Sequence, residues 1–304
     1  MNQQTPKETG ETYAFAPILN FSLDATELRL ARGITIRLPT AKEKKVVKQF
    51  AGYHAPKRWG EWNYIACSAP YRKTSEIRSV SFKCIGELVD LCRALKLFKR
   101  GSVGLGPEFQ IDKTTMECLF HGGSSIIIDF GMGGGKYSLP SVELPDFESF
   151  FKKFCNFDLS KNRRLRTAMV RFDFSYEVGL MYRPIDLMIA FEALYLGEEQ
   201  ELSYKIATRA AYLLGDTPER RALIYSILRN AYVIRSKLVH GGDIPKEVKI
   251  GKNLSFNTLD FVFEVEEILR QSIKKFMDLL ARYSHKQLLT TLLDDNVLAG
   301  GTLL

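Results

Sequence analysis

Apolar residues follow two different rhythms along the chain. From Tyr13 to about Val142 they come mostly in short runs broken by turn residues, which is how strands read. The candidate strands are residues 33–38, 62–68, 80–83, 109–111 and 125–130. Two stretches among them have helical period. Thr40 stands three residues before Glu43, the spacing of a capping box, and predicts a helix over 41–50. Residues 87–99 place Leu88, Leu91, Cys92 and Leu95 on one stripe. Residues 139–146, with Pro140 and Pro145, read as a linker, and 145–155 as a short bridging helix.

After Lys161 the segments become long and helical. Helices are predicted over 162–174, over 184–196 with Pro184 in the first turn, and over 202–214, stopped by Gly215. Thr217-Pro218 is a strong start signal for a fourth, which runs to about His240 and meets Gly241-Gly242. A long amphipathic helix over 255–283 follows. The expected fold class is α+β: a loose tail (1–12), a strand-rich mixed domain (13–150) and an all-α helical domain (151–295).

Composition narrows this little. The chain has 304 residues, enough for two cores, with 45% hydrophobic and 26% charged residues. Its net charge of +8 is spread evenly, so it invites a polyanionic partner without locating one. A local cluster (Lys161, Arg163, Arg164, Arg166, Arg171) could meet RNA phosphates or simply be a solvated face. Five cysteines without a C-x-x-C pair argue against a disulfide framework and a zinc site. The polar start and the absence of long apolar runs suggest a cytoplasmic protein with no membrane partner. The Gly-rich stretch from Gly131 to Lys136 lacks the spacing of a phosphate-binding loop and reads as a β-turn.

The stretch that carries chemistry is Asn230-Ala-Tyr-Val-Ile-Arg235-Ser-Lys-Leu-Val-His240-Gly-Gly. Two ordered segments precede it: Ile185-Asp-Leu-Met-Ile-Ala-Phe-Glu192-Ala-Leu, and Glu201-Leu-Ser-Tyr-Lys-Ile-Ala-Thr-Arg209-Ala-Ala. Together with the Arg235-x(4)-His240 spacing they resemble the Apea-like branch of the HEPN superfamily. The resemblance covers roughly the last 140 residues. It implies an all-helical HEPN bundle, a homodimer with a composite cleft, and RNA as substrate, often in prokaryotic anti-phage or toxin-type defence. It implies no metal or other cofactor.

The residues suit that chemistry. RNA can be cut when its 2′-hydroxyl attacks the adjacent phosphate, which needs a proton acceptor, a proton donor and positive charge on the phosphorane. Histidine can serve either proton role. Arginine stays charged and forks onto two phosphate oxygens. His240 is therefore the expected acid/base and Arg235 the phosphate clamp. Five residues along a helix separate them by about 140°, so they do not share a face; Ser236 and Lys237 do share that of His240. Gly241-Gly242 would allow the last turn to loosen. Arg163, Arg164 and Arg166 are candidate RNA contacts. Glu192, in an apolar run, is expected to be buried and to need a partner, for which Arg209 on the next helix is the candidate. Tyr204 and Tyr232 read as packing residues. Ser236 departs from the Asn, Asp or His common after the motif arginine in catalytic members. It keeps open the alternative of a HEPN module that binds nucleotide or RNA without cutting. A ligand or partner acting on residues 13–150 could regulate the helical half.

Overall fold

The computed structural model describes residues 11–51, 62–72, 77–122, 135–197, 202–251 and 254–298, in an α+β fold. They divide into two units, residues 11–156 and 157–298. The candidate strand over 125–130 lies outside the described residues.

The first unit is built on an antiparallel sheet. The strands of this unit, in chain order, begin with β1 (Glu11–Leu19), β2 (Phe21–Leu23), β3 (Glu27–Arg29), β4 (Thr35–Arg37), β5 (Tyr64–Cys67), β6 (Tyr71–Arg72), β7 (Gly104–Leu105), β8 (Glu108–Asp112) and β9 (Cys118–Gly122), all but β2 belonging to that sheet. The main path is β3-β4-β5-β1-β8-β9, with β6 and β7 also pairing β1, while β2 pairs separately with β10 (Tyr137–Leu139). Strand β1 lies at the centre, with Phe15 facing Cys67 on one side and Phe109 on the other. It contains Pro17, which lacks a ladder donor. The carbonyl of Pro17 accepts from Gly106 N (2.8 Å), so its nitrogen points the same way, into the break between β7 and β8 where no donor is needed.

Helix α1 (Ala41–Ala51) packs Val46 and Val47 onto Tyr13, Phe15, Ile65, Phe109 and Ile111. Its capping box forms in both directions, Glu43 N to Thr40 Oγ1 (3.2 Å) and Thr40 N to Glu43 Oε2 (2.7 Å). Burial would raise the pKa of Glu43, but hydrogen bonds from Arg37, Tyr13 and Thr40 outweigh it and hold the carboxyl below its ordinary value. Helix α2 spans Ile77–Phe98, so residues 80–83, expected as a strand, are helical. Val80-Ser-Phe-Lys has strand propensity, but the helix it joins is long enough to override that preference. Helix α3 (Leu144–Asn156) buries Phe147, Phe151 and Phe154 and packs against α2 inside the first unit; the unit thus ends at 156 instead of 150.

On β8, Glu108 and Gln110 face away from Phe109 and Ile111. Glu108 is 7% exposed, and among the described residues neither carboxylate oxygen has a hydrogen-bond partner of good geometry, the Gln110 side chain being the polar group that eases its burial. Burial pushes its pKa up to about 7. A raised acid pKa means the folded chain holds a proton the unfolded chain has released. Stability is therefore full below the ordinary value and falls as pH rises to about 7. Glu108→Gln should flatten the decline in stability seen in urea titrations between pH 5 and pH 8, by up to about 3 kcal/mol. An unchanged pH slope would contradict this assignment.

The second unit is mainly helical, but it also holds a two-stranded hairpin where an all-α domain was expected. It comprises α4 (Arg163–Phe174), α5 (Arg183–Tyr195), α6 (Leu202–Leu214), α7 (Pro218–Val239) and α8 (Thr258–Leu279). Thr217 caps α7 through Arg220 N (3.2 Å), and Pro218 occupies its first turn. A hairpin of β11 (Glu247–Ile250) and β12 (Leu254–Asn257) precedes α8, which starts at Thr258 because Asn257 Oδ1 accepts from Asp260 N (2.9 Å). Residues 255–257, expected in the helix, thus belong to the hairpin. After α8 the chain makes a short α9 (His285–Gln287), a π-helical stretch Leu288–Asp295 and α10 (Asn296–Leu298).

Helix α8 packs against α4, α5, α6 and α7. Between it, α4 and α5 sits a buried ionic cluster. Glu266 accepts from Tyr176 Oη (2.5 Å) and from Arg270, and lies 3.5 Å from Arg183. Arg270 also pairs with Glu267 and donates to Tyr176 Oη (3.1 Å). Burial lifts the Tyr176 hydroxyl well above its ordinary pKa, helped by the adjacent Glu266.

Candidate functional site

The candidate site is assembled by the last turns of α5 and α7. Glu192 lies in the last turn of α5, and three side chains secure the helix end beyond it. His285 Nε2 meets Leu194 O (2.7 Å), Arg209 donates to Tyr195 O, and Arg164 Nη1 donates to Leu196 O. These satisfy carbonyls that a helix C-terminus otherwise leaves unbonded, and the two arginines suit its negative end. Because a carbonyl only accepts, the His285 Nε2 must carry the proton. Burial pulls the His285 pKa below its ordinary value, joined by the charges of Arg164 and Arg209.

This arrangement corrects one expectation. Arg209 does not partner Glu192. It forks onto Asp294, Nε to Oδ1 at 2.8 Å and Nη2 to Oδ2 at 2.6 Å. Glu192 instead faces Arg235 of α7, with 3.7 Å between Oε1 and Nη2. Burial raises the pKa of Glu192 and Arg235 opposes the rise. The contact is an ion pair without a hydrogen bond, since among the described residues Glu192 Oε1 and Arg235 Nε are both buried without a hydrogen-bond partner. The guanidinium also lies 5.9 Å from the centre of the Tyr232 ring. Arg235 is thus oriented by a carboxylate and a ring, yet its donors are not saturated.

Helix α7 ends in a Schellman motif. His240 is the C-cap residue, Gly241 takes φ +81°, Gly241 N donates to Leu238 O (3.2 Å) and Gly242 N to Lys237 O (2.8 Å). The two glycines tighten the last turn where the sequence suggested loosening, because the left-handed residue lets the chain fold back onto its own carbonyls. His240 is exposed, and among the described residues its ring has no hydrogen-bond or ion-pair partner. Lys237 is exposed beside it and Ser236 half-buried. Substituting Gly241 by alanine should cost about 1–2 kcal/mol from the left-handed backbone alone, read by thermal unfolding; no change in melting would refute the motif.

Of the basic cluster, Arg163 and Arg166 are exposed on α4, whereas Arg164 is turned inward onto Leu196 O. Lys161 pairs with Asp158 (3.3 Å) and Arg171 with Asp186 (3.0 Å). The structure brings Glu192 and Arg235 together, leaves His240 exposed at the C-cap of α7, and assigns Arg209 and Arg164 to securing α5. A feature that pattern reading missed is a groove between α6 and α7, walled by Leu202, Ser203, Tyr204, Arg229 and Tyr232. Tyr204, expected to pack, is 51% exposed.

Among the described residues no group of three or more His, Cys, Asp or Glu side chains could hold a metal ion, and no helix is long and apolar enough to cross a membrane. Cys67, Cys118 and Cys155 are free thiols, and Cys92 Sγ donates to Val103 O (3.7 Å). Compared with known proteins, the chain matches no family model, no curated protein and no solved structure.

Proposed function

We propose that residues 157–298 carry a HEPN-type endoribonuclease that cuts RNA without a metal. The 2′-oxygen attacks the adjacent phosphorus, the bond from phosphorus to the 5′-oxygen breaks, and the products are a 2′,3′-cyclic phosphate and a 5′-hydroxyl. The observation that carries this reading is the end of α7. It joins a half-buried arginine with unsaturated donors to an exposed histidine without a partner. Arg235 neutralises the phosphorane, and Glu192 and Tyr232 hold it in place before RNA arrives. A phosphate offers the guanidinium the two-pronged geometry that Glu192, at 3.7 Å, does not.

One imidazole cannot accept the 2′-hydroxyl proton and donate one to the 5′-oxygen in a single event. Two copies of His240 across one cleft supply both roles, and this, with the resemblance of the motif, supports a homodimer. Arg163 and Arg166 supply further phosphate contacts. The resemblance also supports a role as a cytoplasmic effector in anti-phage or toxin-type defence, controlled through the first unit.

Purified protein incubated with labelled RNA in EDTA should cleave it, as a dimer in sedimentation. Arg235→Ala should lose that cleavage, and Arg235→Lys should not restore it, because an ammonium cannot fork onto two oxygens. Undiminished cutting by Arg235→Ala would sink the proposal. The second reading, a HEPN module that binds RNA without cutting, is favoured by Ser236 after the motif arginine. It predicts bound RNA and no products.

A further inference from the structure

We infer that the groove between α6 and α7 is a subsite for an unpaired nucleotide of RNA, with the base stacked on Tyr204 and Tyr232 and a phosphate held by Arg229. The inference rests on the proposal that RNA is the substrate, and it adds where the strand lies and in what form.

The groove has a volume of about 600 Å³, within the range of small-ligand sites. Its walls combine the two groups that single strands need, aromatic faces and a cation. Tyr204 makes an edge contact with Tyr225 (ring centres 6.3 Å apart, planes at 78°) that fixes its orientation. Half of the residue is still open to solvent.

Arg229 is the only charged residue among the described walls of the groove. It is exposed, and a hydrogen bond from Nη1 to Ser203 Oγ (3.1 Å) anchors it while engaging one of its five donors. The remaining donors have no partner among the described residues. Helix α7 as a whole carries Arg220, Arg221, Arg229, Arg235 and Lys237 against the single acid Glu219, a balance suited to a polyanion.

The groove and the candidate site share one residue. Tyr232 lines the groove, and the Arg235 guanidinium lies 5.9 Å from the centre of its ring. A base seated against Tyr232 therefore brings a neighbouring phosphate toward Arg235. Arg229 and His240 are eleven residues apart, which on a helix is about 20° around and roughly 16 Å along the axis. Arg229, Val233, Ser236 and His240 thus form one stripe along which a backbone can run. Only an unpaired base can stack here, since bases in a duplex are already stacked on both faces.

The test uses the full chain and a labelled uridine oligomer carrying 2′-O-methyl groups, which cannot be cut by the 2′-hydroxyl route. Wild-type protein should bind it, and a duplex of the same length should not compete. Tyr204→Ala should weaken binding by about five- to a hundred-fold, Tyr204→Phe should bind as wild type, and Arg229→Ala should weaken binding with a shallower salt dependence. Tyr204 is exposed at the surface, so circular dichroism should show all three variants folded.

Absent binding by the wild type, or unchanged binding by both alanine variants, would overturn the subsite. So would dissociation of a dimer by Tyr204→Ala, which would assign the groove to a second copy of the chain. Because the probe is uncuttable, a protein that binds it but cuts no RNA keeps the subsite and loses the nuclease.

Discussion

Replacing His240 with alanine should lower RNA cleavage by about two to four orders of magnitude, the usual contribution of a positioned acid or base, and leave the melting temperature unchanged. The two halves of this expectation have separate causes. The backbone of His240 is held by hydrogen bonds from its N–H to Ser236 O (3.2 Å) and Lys237 O (3.1 Å), and alanine keeps both. The ring is exposed and has no partner among the described residues, so removing it should take nothing from the folded state. A histidine that merely closed the helix would show the opposite pattern, some loss of stability and an unaltered rate. Neighbouring Gly241 provides the contrast: its replacement changes the backbone and should affect stability first.

The largest effect on stability should come from Arg270→Met, which is expected to cost about 3–5 kcal/mol and to lower the melting temperature by roughly 10 °C. Arg270 is fully buried and pairs with Glu266, Glu267 and Tyr176. Methionine fills much of the same space, so the loss is chiefly electrostatic. Glu266 is left with Arg183 at 3.5 Å and with the Tyr176 hydroxyl. Burying an ion pair is not itself a net gain, because both charges must first lose water. Removing one partner is costly because the other stays buried with its charge less well compensated. A change of less than about 1 kcal/mol in urea unfolding would show that water reaches the cluster and screens it.

Much of the helical unit could be read in advance, because its boundaries are written in local chemistry. Thr217-Pro218 marks the start of α7 and Gly241-Gly242 its end, and in the first unit Thr40 with Glu43 marks the start of α1 in the same way. The hidden features depend on distant residues. Strand β1 was not recognisable because it is buried on both faces and interrupted by Pro17, so no alternation shows; its place is set by β5 and β8, far along the chain. Adjacency along the chain points Arg209 of α6 to Glu192 of α5, but its carboxylate, Asp294, comes from 85 residues away. The same limit hid the groove: whether Tyr204 packs or stays open depends on how α6 lies against α7. The motif residues themselves stood out in the sequence, while the restraint of Arg235 by Glu192 emerged only when α5 and α7 came together.

The most direct test is the chemistry of the cut ends. Labelled RNA incubated with the intact protein in EDTA, then resolved by mass spectrometry, should yield 2′,3′-cyclic phosphate and 5′-hydroxyl termini. Cleavage that leaves 3′-hydroxyl and 5′-phosphate ends, or that requires a divalent ion, would contradict attack by the 2′-oxygen, and with it the roles given to His240 and Arg235.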